Sequence, residues 1–96
     1  MQILPVDAKV RWEIEEYICK NHNHYAGVSV AKVTMGHKFT AFSVKKEYGI
    51  DVDEFDVLAT MRYMVNVGNL VSAGMFGSVQ TYVVNREVAQ WEDENR

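Results

Sequence analysis

At 96 residues, with 48% apolar and 24% charged side chains, the chain has the make-up of one globular domain, which excludes a disordered or collagen-like protein. A single cysteine, Cys19, excludes an intrachain disulfide, so the fold must rest on its apolar core. The net charge of −3 hides a segregation: residues 17–46 hold five lysines and no acid, whereas residues 47–58 hold five acids and no base. Blocks of one sign set up local potentials that can steer a partner whatever the total charge.

The opening Met1-Gln2-Ile3-Leu4-Pro5 has neither a basic n-region nor a long apolar run, so no export signal and a cytoplasmic location are expected. The uncharged stretch 63–85 contains Asn66, Asn69, Ser72, Ser78, Gln80, Thr81 and three glycines, and is not expected to cross a membrane. No repeat or linker interrupts the chain. Residues 1–86 are expected to form one domain, and residues 87–96 a polar acidic tail.

A first helix is expected from Val6 or Asp7 to Lys20. Val10, Ile14, Tyr17 and Ile18 fall on one stripe, and Asp7 can serve as the N-cap. In the segment 22–36, Val28-Ser29-Val30 alternates like a short strand, while Ser29 could equally cap a helical turn; the strand is preferred. The second helix is expected to start at an N-cap Thr40 and to turn Val44 and Tyr48 inward. Gly49 then supplies the left-handed residue that stops it. Asp51 or Asp53 caps a third helix whose Val57, Leu58, Met61, Met64 and Val65 share a face and which ends at Gly68. Leu70–Met75 and Val79–Val84 have the β-branched and aromatic character of strands, joined as a hairpin by Phe76-Gly77-Ser78.

This order of helix, short strand, helix, tight turn, helix and hairpin resembles the winged-helix domain. Tyr48-Gly49-Ile50-Asp51 is similar to its helix-turn-helix corner. Leu58-x-x-Met61-x-x-Met64-x-x-x-Gly68-Asn69-Leu70-Val71 resembles its third helix entering the wing, and Thr81-Tyr82-Val83-Val84 closes the wing itself. The fold class expected is therefore α+β, a winged helix of three main helices with a C-terminal β-hairpin. The resemblance implies DNA binding through the third helix.

The charges on that helix point elsewhere. Its first turns carry Asp51, Asp53, Glu54 and Asp56, four carboxylates that would repel a phosphate backbone. Interaction with the helix dipole accounts for one or two of them. The lysine side of the second helix offers the better anion surface: Lys32, His37, Lys38, Lys45 and Lys46 are the candidate nucleic-acid contacts. The leading expectation is a small non-catalytic regulator of transcription that binds nucleic acid by this side, as a dimer. The alternative is a protein-binding adaptor. It would use Asp51, Asp53, Glu54 and Asp56 with Phe55 and Tyr63 on the third helix, and Met75 and Phe76 at the wing tip. Cys19, His22, His24 and His37 are metal-compatible residue types without a recurrent zinc spacing, so no metal and no cofactor are expected. No nucleophile has a recognisable base and no glycine-rich loop follows a strand, so no enzymatic activity is expected.

Overall fold

The computed structural model describes residues 6–21, 24–25, 30, 32–77 and 79–85. Three helices and a three-stranded antiparallel sheet follow one another as α1 (Ala8–Asn21), β1 (His24–Tyr25), α2 (Met35–Tyr48), α3 (Glu54–Asn66), β2 (Leu70–Phe76) and β3 (Val79–Val84). This is an α+β fold with a winged-helix-like arrangement, three helices leading into a C-terminal hairpin.

Helix α1 begins where Asp7 Oδ1 accepts the Lys9 N–H at 2.9 Å, satisfying one orphan donor of the first turn. Its stripe of Ile14, Tyr17 and Ile18 is buried, with Val10 partly covered at its start. Helix α3 begins in a reciprocal box. Asp53 Oδ1 accepts the N–H groups of Phe55 at 3.0 Å and Asp56 at 2.9 Å, while Asp56 Oδ2 accepts the Asp53 N–H at 3.0 Å. Its face of Val57, Leu58, Met61 and Met64 is buried as the spacing predicts, with Val65 partly buried beside them.

The N-cap of helix α2 lies six residues before the expected one. Its cap is Thr34, whose backbone N–H donates to His37 Nδ1 at 2.9 Å. Thr40 is a buried residue in mid-helix and not a cap. The periodicity of the buried residues alone misplaces the start, because the first six residues contribute only His37 and Thr40 to the inner side. The other end is where the sequence puts it: Gly49 has φ 68 and its N–H donates to Lys45 O at 3.0 Å.

The sheet order is β1-β3-β2. Strand β1 pairs His24 with Val83 and Tyr25 with Tyr82, upstream of the expected Val28–Val30. Residues 26–29 lie outside the described residues, and Val30 is in a bend. The hairpin runs from Leu70↔Val84 to Phe76↔Val79, so Phe76 is the last residue of β2 and not part of the connection. A register step between Ser72 and Met75 marks a bulge. Gly74 sits in it with φ 97, a backbone region that disfavours a side chain. Its carbonyl accepts from Thr81 Oγ1 and from Gln80 Nε2, each at 2.9 Å.

The core lies where the helices meet the hairpin. Ile14, Tyr17 and Ile18 of α1, Ala41 and Val44 of α2, and Val57, Met61 and Met64 of α3 cluster with Val52, Leu70, Tyr82 and Val84. Among the described residues, no helix is long and apolar enough to cross a membrane.

Candidate functional site

The long α2 changes which of its side chains face outward. Val44 and Ala41 point into the core with His37 and Thr40. The opposite side carries Met35, Phe39 and Phe42, spaced i, i+4 and i+7, which places them on one stripe across two helical turns. They are 75%, 69% and 64% exposed. Scattered apolar residues on a surface are ordinary, but three large ones in a row on a helix already anchored by its other face form a patch. Starting the helix at Thr40 leaves Met35 and Phe39 outside it, and so hides this patch from a sequence reading. The usable signal is a double periodicity, with a second apolar stripe about half a turn from the first.

The candidate cations divide. Lys32 is exposed just ahead of α2, and Lys38 and Lys46 are exposed on it. Lys45 is exposed too, but its Nζ lies 3.2 Å from Asp51 Oδ1. His37 does not belong to this surface. It is fully buried, with Nδ1 accepting from Thr34, a use that calls for the neutral ring. The basic side therefore consists of lysines bordering an apolar stripe, with one of them neutralised by the acidic turn.

The acidic corner is also partly accounted for by the fold. Asp53 and Asp56 serve each other and the α3 N-terminus, while Asp51 stays highly exposed and bound to Lys45. Glu54 is half-buried. The carboxyl of Asp56 is raised above its ordinary 3.8, first by burial and then by the neighbouring charges of Asp53 and Asp51, against a lowering backbone hydrogen bond at Asp53.

The apolar residues named for a partner have different fates. Phe55 is 36% exposed at the start of α3, and Met75 is 61% exposed on β2. The side chain of Phe76 lies outside the described residues. Tyr63 is not an open surface residue: it packs against the core, and the Arg11 guanidinium lies over its ring at 4.2 Å from the centroid. Arg11 also approaches the buried Glu15 at 3.5 Å, an i, i+4 ion pair. Arg62 is likewise engaged, its Nε donating to Val30 O at 2.9 Å and tying the segment before α2 to α3.

Among the described residues, no group of three metal-compatible side chains comes together. The Cys19 thiol faces Asn69 Oδ1 at 3.9 Å, and His37 is committed to the start of α2. His22 and the side chain of His24 lie outside the described residues.

Comparison with known proteins finds no matching family model, no matching curated protein and no matching solved structure.

Proposed function

We propose that this domain is a non-catalytic binding module that meets a protein partner through the outward side of α2. The observation carrying this reading is the stripe of Met35, Phe39 and Phe42, each about two-thirds exposed or more on a helix whose other side is already buried. Methionine and aromatic side chains are enriched in protein interfaces, and anchors at i, i+4 and i+7 are how a helix presents itself to a partner. A reducing, cytoplasmic setting belongs to this reading, supported by a fold that holds a single cysteine and so makes no intrachain disulfide.

The expected nucleic-acid contact is the second reading. Lys32, Lys38 and Lys46 favour it, since all three are exposed and none is ion-paired among the described residues. Against it stand the neutralisation of Lys45 by Asp51 and the burial of His37. Duplex binding needs several phosphates neutralised together, and three lysines beside a wide apolar stripe supply little of that.

The two readings separate in a pair of measurements. A photoreactive phenylalanine analogue at position 42 should crosslink to protein, while the same group at Val71 on the hairpin should not. DNA titrated at low and moderate salt should show no salt-sensitive binding that Lys38→Glu plus Lys46→Glu removes. Crosslinks to nucleic acid alone, with such salt-sensitive binding, would reverse the assignment.

A further inference from the structure

We infer that the occupant of the α2 face is a second copy of this chain, its α2 antiparallel to the first about a two-fold axis. The inference rests on the reading of α2 as the contact face and adds the identity of the partner. A two-fold interface must be complementary to itself, so each feature of the patch has to meet its own counterpart. The charges around α2 are arranged that way. The N-terminal end of the helix has Lys32 and Lys38 and no acid, whereas at its C-terminal end Lys45 and Lys46 are outnumbered by Glu47 and the acids of the following turn, Asp51 and Asp53. Antiparallel docking lays the basic end of each copy over the acidic end of the other, twice.

The flanks agree with the ends. In an antiparallel pair related by a two-fold axis, a given flank of one helix meets the same flank of the other. Lys38 and Lys45 are seven residues apart and share one flank, where Lys45 holds Asp51 at 3.2 Å. With the helices crossing between Phe39 and Phe42, Lys45 and Asp51 of one copy come level with Gly36 of the other. Lys38 is two residues further along, about 3 Å at 1.5 Å of rise per residue, within reach of that carboxylate. The helix dipoles are then opposed, which adds to the fit.

The area is also of the right size. Side chains of phenylalanine size bury about 150–250 Å² each, so three that are 64–75% exposed offer roughly 400 Å² per copy. The stems of Lys38 and Lys46 beside them bring a pair towards the roughly 1,200 Å² at which specific interfaces begin.

The mass of the purified chain, followed by sedimentation equilibrium from micromolar to submillimolar concentration, tests this. The expected result is two chains per particle at the upper end. Phe39→Glu plus Phe42→Glu should give single chains with unchanged helical circular dichroism. Lys38→Glu should weaken association about tenfold, and Lys38→Glu combined with Asp51→Lys should restore it. The charge pair keeps the test valid should the double phenylalanine variant fold poorly. A single chain at every concentration would overturn the inference, as would a dimer indifferent to these changes. If residue 42 then crosslinks to a different protein, the reading of α2 as the contact face stands and only the second copy falls.

Discussion

Lys45 Nζ lies 3.2 Å from Asp51 Oδ1 across the turn that joins α2 to α3, so the basic stretch of the chain and the acidic one close on each other in an ion pair. Both side chains are exposed, at 60% and 95%, and exposed pairs add little to stability because water and salt screen them. Lys45→Gln should therefore leave the urea midpoint almost unchanged. If α2 docks a second copy, the same substitution should change how association responds to salt, which sedimentation at two ionic strengths would reveal.

Met61 is fully buried and Leu58 nearly so on the inner face of α3. Met61→Ala or Leu58→Ala should cost about 2–5 kcal/mol, the lost transfer energy plus the cavity left behind. Urea melts showing less than about 0.5 kcal/mol for either would place that side chain outside the core.

Asp53 accepts two N–H groups at the start of α3. Asp53→Ala should cost about 1 kcal/mol, and Asp53→Asn or Asp53→Ser should recover most of it by supplying a neutral acceptor. If all three changes behave alike in urea melts, the carboxylate does not act as the cap.

Tyr48 packs against the core, and its hydroxyl has no hydrogen-bond partner among the described residues. Burial, with the charges of Glu16, Glu47 and Glu13 adding to it, pushes its pKa up from 10.0 to about 12. The unfolded chain then loses this proton first as the pH rises, while the folded chain keeps it. Stability should fall between about pH 10 and 12 by a contribution that Tyr48→Phe lacks. Melts of the two proteins should agree at neutral pH and separate in alkali, wild type being the weaker. Parallel curves through that range would show that Tyr48 titrates normally.

Features governed by near neighbours were legible in the sequence. The buried stripes of α1 and α3, the stop at Gly49 and the hairpin from Leu70 to Val84 all follow from spacing and turn chemistry. The start of α2 was not. Its cap pairs Thr34 with a histidine, where a reader looks for Glu or Gln three residues on. Its first turns also place Met35 and Phe39 outward, against the assumption that one apolar stripe is the buried one. Strand β1 was missed for a different reason: two residues pair with Val83 and Tyr82, nearly sixty positions away, and nothing local marks them. The candidate site suffered most from the first error. With α2 begun at Thr40, its lysines stand out and its aromatics do not. His37 then counts as a surface cation although it is fully buried.

The central claim is that a partner covers Phe39 and Phe42, and fluorine NMR of protein labelled with fluorophenylalanine tests it directly. The signals can be assigned by single Phe→Tyr changes and read in a concentrated extract with a soluble relaxation agent. The account predicts that Phe39 and Phe42 are shielded from the agent at high protein concentration and become accessible on dilution into buffer, while Phe55 responds equally in both. If Phe39 and Phe42 stay fully accessible in the extract and at every concentration, no partner occupies the outward side of α2 and the account is contradicted.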